Sequence, residues 1–264
     1  MVSPLHLLLT NDDGVDAPGL LALIDRLRPL CELTVVAPRQ QRSASGLAIT
    51  LHRSVPVLRL PSCDGVAIYA CDGSPADCSA IGLYALVDRP VDLVISGIND
   101  GPNMGEDVLY SGTVGAAIEA RVSGAPAAAI SVLRPRDGGP TRFDAAAEVA
   151  VRLVRAWQAG FRMPEDVILN INVPARPFDE LAGASVVAQG RRAYGAEVRV
   201  EPGEDGTANY WVYGPAADVD DSLDTDVGAV RAGMVAITPI TYRLTSDRHL
   251  GGLRQSSLAR LLEH

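Results

Sequence analysis

Blocks of apolar and polar residues alternate along most of the chain, and they predict strands that alternate with helices. Short apolar runs indicate buried strands, and apolar residues spaced three or four apart indicate amphipathic helices. A helix is predicted over 18–30, with Pro18 in its first turn and Leu20, Leu23 and Leu27 on one face. The predicted strands are 6–10, 33–37, 55–60, 66–70, 93–96, 127–132 and 167–173, and the other predicted helices are 74–87, 113–122 and 142–158. This order is typical of an α/β fold with a mainly parallel sheet and helices on both faces.

The pattern changes after the strand that ends at residue 173. Short strands separated by polar turns are predicted at 186–189, 197–201 and 210–213, followed by a helix over 225–232 and a strand over 234–238 that can rejoin the sheet. We therefore expect one α/β domain over 1–264, in which 180–220 form a β-rich extension or arm that contacts other subunits.

Charge and composition narrow the classes of partner. The formal net charge is −9, and all 23 basic residues are arginine, which excludes mechanisms that need a lysine. An acidic surface attracts neither nucleic acid nor anionic lipid, so we expect no nucleic-acid partner and no membrane partner. An anionic substrate would need local positive charge from a metal, an arginine or a helix N-terminus.

The compartment is inferred from the termini and the cysteines. The N-terminal segment lacks a basic region before its apolar run, and no apolar run approaches the ~18 residues of a membrane span. The cysteines, which form no C-x-x-C pair, are Cys31, Cys63, Cys71 and Cys78. We therefore expect a cytoplasmic protein without a disulfide scaffold or a structural zinc site.

Three polar loops follow predicted strands, where an open parallel sheet binds its ligands. The first holds Asn11, Asp12 and Asp13 directly after a buried strand. Adjacent carboxylates repel each other, and a divalent cation would relieve the repulsion. Oxygen ligands suit Mg²⁺, Mn²⁺ or Ca²⁺ better than zinc. An Asx turn that caps the next helix is the simpler interpretation, but two Asp and an Asn are more than such a turn needs.

The third loop, 97–111, is rich in Gly and Asn and offers the neutral oxygens of Asn99 and Asn103. Ser111, Gly112 and Thr113 then open a helix whose free N–H groups could bind phosphate, although Ser111 alone is explained as an N-cap. The second loop, 38–46, contributes candidate phosphate or metal contacts from Arg39, Arg42, Ser43 and Ser45. Together the three loops contain what metal-assisted phosphoryl transfer needs.

Several other sites are disfavoured. The first loop has no G-x-G-x-x-G sequence, which argues against a dinucleotide site. No histidine is placed as a general base: His6 lies inside a strand, His52 follows one, His249 is in a polar loop and His264 ends the chain.

Motifs along nearly the whole chain resemble those of the stationary-phase survival protein SurE family of 5′/3′-nucleotidases. The most specific match is Ser96-Gly97-Ile98-Asn99, continuing through Gly101-Pro102-Asn103 to Tyr110-Ser111-Gly112-Thr113-Val114, combined with Thr10-Asn11-Asp12-Asp13-Gly14. The other matching segments are Ala17-Pro18-Gly19, Val36-Ala37-Pro38 with Arg42-Ser43, Gly73-Ser74-Pro75-Ala76-Asp77-Cys78, Leu169-Asn170-Ile171-Asn172-Val173-Pro174, Tyr210-Trp211, Thr225-Asp226 and Ile237-Thr238-Pro239.

The resemblance implies a Rossmann-like domain that forms homodimers or homotetramers through its C-terminal extension. It implies hydrolysis of nucleoside 5′- and 3′-monophosphates, and of short polyphosphate, with one Mg²⁺ or Mn²⁺ per subunit. The metal ligands carry over onto Asp12, Asp13, Ser43 and Asn99, of which Asp12, Asp13 and Asn99 are the expected catalytic residues. The residues expected around the phosphate are Asn11, Asn103, Ser111, Gly112 and Thr113.

The chain departs from the family pattern near the site without losing a metal ligand. Arg39 replaces a usual acidic residue, Leu47 and Ala48 stand where polar residues are common, Asp100 adds a carboxylate, and Ser74 replaces threonine. These changes bear on substrate preference rather than on the chemistry.

Two points stay open at the level of sequence. Water activated by the metal, or Asp12 itself, could attack phosphorus. A nucleotide-binding regulator without turnover is the alternative function.

Two other classes of protein are disfavoured. A phospho-receiver domain needs a lysine, which this chain lacks. A haloacid-dehalogenase-type phosphatase needs its two Asp separated by one residue, whereas Asp12 and Asp13 are adjacent.

Overall fold

A sheet of nine strands forms the centre of the computed structural model, which describes residues 4–62, 64–194, 198–212, 216–218, 220 and 222–261. In spatial order the strands are β3 (Val57–Arg59), β4 (Ala67–Cys71), β2 (Glu32–Pro38), β1 (His6–Thr10), β5 (Leu93–Asp100), β6 (Ala127–Val132), β7 (Val167–Val173), β13 (Val235–Thr241) and β8 (Ala184–Val186). The run from β4 to β7 is parallel. Strand β3 is antiparallel to β4, β13 is antiparallel to β7, and β8 is parallel to β13.

Helices cover both faces of this sheet, as predicted. The longer helices are α1 (Pro18–Leu27), α2 (Pro75–Ile81), α3 (Gly112–Val122), α4 (Asp144–Gln158), α5 (Asp226–Arg231) and α6 (Asp247–Arg254), and α2 continues as a π-helical turn over Gly82–Leu86. Successive residues of β1 point to opposite faces, so Leu7 and Leu9 join the core beneath α1 and α4, while Leu8 joins the core beneath α2 and α3. The two cores fix the end of β1, where the first polar loop begins.

The C-terminal part is β-rich, but one predicted strand was misplaced. Residues 186–189 are not a strand: β8 ends at Val186, and Ala188 makes only an isolated bridge to Thr225. Two small antiparallel sheets pair β10 (Arg199–Pro202) with β11 (Ala208–Trp211) and β9 (Arg192–Tyr194) with β12 (Ala216–Asp218). Glu197 and Tyr213, the outer ends of two predicted strands, lie outside the described residues, as do Cys63 and His264.

Two further features concern the apolar parts of the chain. Among the described cysteines, Cys31, Cys71 and Cys78 are buried free thiols, and a buried free thiol packs as a small hydrophobic side chain. Within the described part of the chain, every helix is too short or too polar to cross a lipid bilayer.

Candidate active site at the carboxyl edge of the sheet

A cavity of about 240 Å³ opens beyond the carboxyl ends of β1 and β5. Side chains from all three predicted loops meet there, together with one residue that follows β6. The lining residues are Asp12, Asp13, Gln41, Ser43, Ala44, Asn99, Asp100, Pro102, Asn103, Asp107, Tyr110, Ser111 and Arg134. The described histidines His6, His52 and His249 are not among them.

Asp12 is the most buried carboxylate in this lining, with 5% of its surface exposed. Burial, together with the smaller effect of the neighbouring charge of Asp13, raises the pKa of Asp12 to about 6, although the hydrogen bond from the Thr113 hydroxyl opposes the shift. That hydroxyl donates to Asp12 Oδ1. A carboxylate held this way lacks a compensating positive charge, which a bound cation would supply.

Asp13 lies beside Asp12 and is held by two donors. Its Oδ2 accepts the Asp100 backbone N–H at 3.1 Å, and its Oδ1 accepts Gln41 Nε2 at 3.2 Å. Burial raises the pKa of Asp13, although the hydrogen bond from Asp100 and the charge of Arg134 oppose the shift. The two carboxylates therefore share one desolvated corner of the cavity.

Asn11 does not reach the cavity, in contrast to its expected phosphate contact. The residue is fully buried, its Nδ2 donates to Gly14 O at 2.8 Å, and its Oδ1 accepts Gly14 N–H at 3.2 Å. Both ends of the amide are thus used in the turn that directs Asp12 and Asp13 outwards. Asn11 is the Asx-type turn residue that the sequence also allowed.

The N-terminus of α3 lies beside Asp12 at the same cavity. Ser111 caps the helix, because its Oγ accepts the Val114 N–H at 3.0 Å, and it also lines the cavity. A Cβ at Gly112 would lie 2.9 Å from Asp12 Oδ2 and 2.6 Å from Ser45 Oγ. Glycine therefore allows the positive end of the helix dipole to approach Asp12. Thr113 is fully buried and faces Asp12 rather than the cavity.

Asn99 reaches the cavity because β5 is irregular at its end. The register with β6 shifts between Gly97 and Asn99, which turns the chain at this point. Gly97 has φ +138°, and a Cβ there would lie 2.3 Å from Ile130 O, so only glycine fits. Asn99 Nδ2 donates to Gly101 O at 2.8 Å, which leaves its Oδ1 as the possible ligand atom.

The second loop contributes less charge than expected. Ser43 lines the cavity, and the Arg42 backbone N–H donates to Asp12 O at 2.7 Å. The Arg42 guanidinium, however, lies 3.8 Å from Asp72, away from the cavity lining.

Among the described lining residues the positive charge comes from Arg134, which sequence reasoning missed. Arg134 donates to Asp100 Oδ1 at 3.2 Å and to Asp100 O at 2.8 Å. The available signal was its position directly after β6, the strand next to β5 in a parallel sheet.

Asn103 is held by a buried polar network that the sequence did not reveal. Asn172 Oδ1 accepts the Asn103 N–H at 2.9 Å, while Asn172 Nδ2 and Asn170 Nδ2 donate to Asn103 O at 3.0 and 2.8 Å. Its own Nδ2 donates to Ser131 Oγ at 2.8 Å. Two residues further along, the Gly105 N–H donates to buried Asp226 at 3.1 Å. Strands β6 and β7 and helix α5 therefore fix the third loop.

The donor set at the cavity fits a hard divalent cation. Within the described residues no three Asp, Glu, His or Cys side chains cluster to hold a metal, so a cation here would rest on two carboxylates and neutral oxygens. Asp12, Asp13, Ser43 and Asn99 offer only oxygen ligands, as Mg²⁺ and Mn²⁺ prefer. Ser45 Oγ is also buried without a hydrogen-bond partner, close to Asp12.

Comparison with known proteins identifies similar chains. Residues 7–196 match the family model described as "Survival protein SurE". The chain is 43% identical over 242 residues to the 5′-nucleotidase SurE of Pelobacter propionicus, covering 92% of this chain and 95% of that protein. It is 40% identical over 256 residues to the protein of the same name from Geobacter sulfurreducens, and the match covers 97% of this chain and 95% of that protein.

A solved structure has the same fold. The crystal structure of the SurE protein from Aquifex aeolicus superposes with a TM-score of 0.82 at 34% sequence identity, covering 95% of this chain and 98% of that one. The likeness therefore spans nearly the full length of both chains.

Proposed function

Because this chain belongs to the SurE family, we propose that it is a 5′-nucleotidase, which hydrolyses nucleoside 5′-monophosphates to nucleoside and inorganic phosphate. One observation carries the proposal: the adjacent carboxylates of Asp12 and Asp13 and the N-terminus of α3 meet at one small polar cavity. Negative oxygens beside a helix N-terminus suit a phosphoryl group bound together with a cation.

The proposal includes one Mg²⁺ or Mn²⁺ per subunit, held by Asp12, Asp13, Ser43 and Asn99. When bound, the cation would supply Lewis-acid charge at a phosphoryl oxygen and lower the pKa of a coordinated water. The buried, mutually repelling carboxylates and their oxygen-only surroundings support this part of the proposal.

The protein's own groups have distinct roles in this scheme. In this proposal the first N–H groups of α3, which follow the N-cap Ser111, and the Asn103 side chain would stabilise the equatorial phosphoryl oxygens. Thr113 orients Asp12 through its hydroxyl. Arg134 balances Asp100, so that the extra carboxylate does not repel the substrate.

Attack by water and attack by Asp12 both fit this arrangement, and they differ in the configuration that they leave at phosphorus. Attack by Asp12 followed by attack of water on the aspartyl-phosphate is two in-line displacements and retains the configuration, whereas direct attack by water is one displacement and inverts it. Hydrolysis of a nucleoside phosphorothioate that is made chiral at phosphorus with oxygen isotopes, followed by analysis of the thiophosphate, separates the routes. We expect inversion, because Thr113 binds one oxygen of Asp12 and a cation would occupy the other.

The size of the cavity supports recognition of the phosphoryl end alone. Its volume of about 240 Å³ is below the ~300–1,000 Å³ of pockets that enclose a whole small molecule. We therefore propose that nucleoside 3′-monophosphates and the terminal group of short polyphosphate are also accepted, since the nucleoside lies mostly outside.

The test is release of inorganic phosphate from a panel of 5′- and 3′-nucleoside monophosphates and tripolyphosphate. Each substrate is assayed with Mn²⁺, with Mg²⁺ and with EDTA. The proposal predicts release that needs a divalent cation and is present for the 5′-monophosphates. Nucleotide binding without release under any metal would favour a regulator, and undiminished release in EDTA would contradict the metal assignment.

A further inference from the structure

A second cavity, of about 450 Å³, lies at the same edge of the sheet and gathers four arginines. Arg134 and Arg136 follow β6, Arg176 follows β7, and Arg231 ends α5. Among the described residues of its lining, Asp137 is the one carboxylate. The chain as a whole has a net charge of −9, so this concentration of guanidinium groups runs against its overall charge. A local positive field of this kind indicates an anionic ligand.

The cavity is shaped by residues that are fixed by the fold. Its floor is apolar, formed by Met104, Leu133, Val227 and Val230. The Arg176 guanidinium lies against the backbone of Gly233, where a Cβ would be only 2.8 Å from Nη1. The absence of a side chain at Gly233 therefore gives this arginine its place beside the floor.

Arg134 connects this cavity to the candidate active site, because it lines both. Its guanidinium donates to the side chain and backbone of Asp100, which in turn donates its N–H to Asp13. Met104, on the floor of the arginine-lined cavity, directly follows Asn103 in the chain. The two cavities are therefore neighbours: they share Arg134, and adjacent residues of the third loop line one and the other.

We propose that the arginine-lined cavity binds a ligand with two or more linked phosphoryl groups, at a site separate from the phosphomonoester site. A guanidinium group pairs with two phosphate oxygens at once, so Arg136 and Arg176 together can bind four of them, whereas one phosphomonoester group offers three terminal oxygens. The volume is within the range of pockets that enclose a small molecule. Inorganic condensed phosphate and nucleoside polyphosphates share this chemistry, and the apolar floor offers a surface for a nucleoside.

The test measures binding by isothermal titration calorimetry with the full chain in EDTA, which excludes metal-dependent turnover. The probes are tripolyphosphate, ATP and inorganic phosphate. The cavity variant is Arg136→Gln with Arg176→Gln, and the control is Arg155→Gln with Arg243→Gln, which removes the same charge from exposed positions outside the cavity. We expect the Kd of tripolyphosphate and ATP to rise at least about tenfold in the cavity variant and to stay unchanged in the control.

The probes also distinguish the two sources of ligand. Equal affinities for tripolyphosphate and ATP would show that the site recognises the phosphates alone. Tighter binding of ATP would show that it also recognises the nucleoside. Inorganic phosphate should bind more weakly than either.

The proposal is overturned if the wild type shows no saturable binding, or if both double variants lose affinity equally. It is also overturned if Asp12→Asn abolishes binding that the cavity variant retains. None of these outcomes depends on hydrolysis, so failure here leaves the proposed nucleotidase function standing.

Discussion

At the scale of single residues, the candidate site depends on side chains that hold other side chains. Asp12 and Asp13 were visible in the sequence because two adjacent carboxylates after a buried strand are unusual. The supporting roles of Asn172 and Arg134 could not be recognised in the sequence. Asn172 is 69 positions from its partner Asn103, and Arg134 is 34 positions from its partner Asp100. A local pattern reveals the group that faces the substrate, but not the distant group that fixes it.

Thr113→Val tests this dependence at Asp12. The change keeps the shape of the side chain and removes the hydroxyl that donates to Asp12. Loss of an orienting hydrogen bond to a metal ligand typically costs ~10–100-fold in metal affinity or activity. We expect a fall of this size in Mn²⁺ affinity and in kcat, measured by calorimetry and by phosphate release. Thr245→Val, at an exposed position, is the control, and equal effects of the two changes would contradict the role of Thr113.

Asn172→Ala tests the network around Asn103. The change leaves the buried N–H of Asn103 without an acceptor and removes one of the two hydrogen bonds to the Asn103 carbonyl. We expect this loss to destabilise the fold by about 1–3 kcal/mol. The third loop should shift, and a displacement near 1 Å can reduce kcat by ~100-fold. Thermal unfolding and kcat are measured against Asn209→Ala, whose side chain is exposed in β11. Wild-type kcat in Asn172→Ala would show that Asn103 needs no such support.

At the scale of secondary structure, the bounds were predictable where burial alone decides them. Strands β6 and β7 have the predicted limits: both are mainly apolar, and Pro126 directly precedes β6 while Pro174 directly follows β7. Strand β5 extends to Asp100, four residues beyond the predicted end, because its irregular register keeps Asn99 and Asp100 paired with β6. The misplaced strand at 186–189 begins with the apolar run Val186-Val187-Ala188, but β13, the strand with which β8 pairs, is distant in sequence.

The start of α2 carries a prediction about pH. Asp77 completes a capping box with Ser74 and also accepts hydrogen bonds from the Thr50 N–H at 2.9 Å and the Thr50 hydroxyl at 2.5 Å. Burial raises the pKa of Asp77, but these hydrogen bonds outweigh it and leave the pKa below its ordinary value of 3.8. The stabilisation is therefore present above about pH 4 and is lost as the pH falls through the lower, folded-state pKa.

Asp77→Asn should remove this pH-dependent part. We expect a loss of about 1–3 kcal/mol at pH 7, because hydrogen bonds to a charged acceptor are replaced by weaker ones. Between pH 5 and pH 2 the variant should lose stability less steeply than the wild type, as followed by urea unfolding. Parallel pH profiles for the two proteins would mean that Asp77 does not titrate differently on folding.

At the scale of the whole molecule, the described residues leave two features exposed: an apolar groove, and the leucines of a C-terminal segment that is otherwise polar. The groove, of about 790 Å³, runs between α4, β7, β13 and β8 and includes Phe178 and Val186, the latter 74% exposed. Helix α6 has no buried residue, and Leu253 and Leu258 are 52% and 59% exposed. Exposed apolar surface on this scale is typical of subunit contacts.

We therefore propose that the chain forms homodimers or homotetramers in which the groove is covered by the C-terminal segment of another copy. Val186→Glu and Leu258→Glu should each lower the sedimentation coefficient towards that of a monomer, because a charge would be buried at the contact. Tyr84→Glu, which alters a side chain 72% exposed elsewhere, should not. A wild-type protein that sediments as a monomer would contradict the proposal.

The central claim, that Asp12 and Asp13 form a nucleotidase site, is tested most directly by one pair of variants. Asp12→Asn removes a buried carboxylate at the cavity, while Asp16→Asn makes the same chemical change at an exposed position four residues later. The measurement is kcat/KM for phosphate release from a nucleoside 5′-monophosphate with Mn²⁺. The account predicts that Asp12→Asn loses at least ~100-fold and that Asp16→Asn keeps wild-type activity. Activity that survives Asp12→Asn would place the active site elsewhere in the molecule.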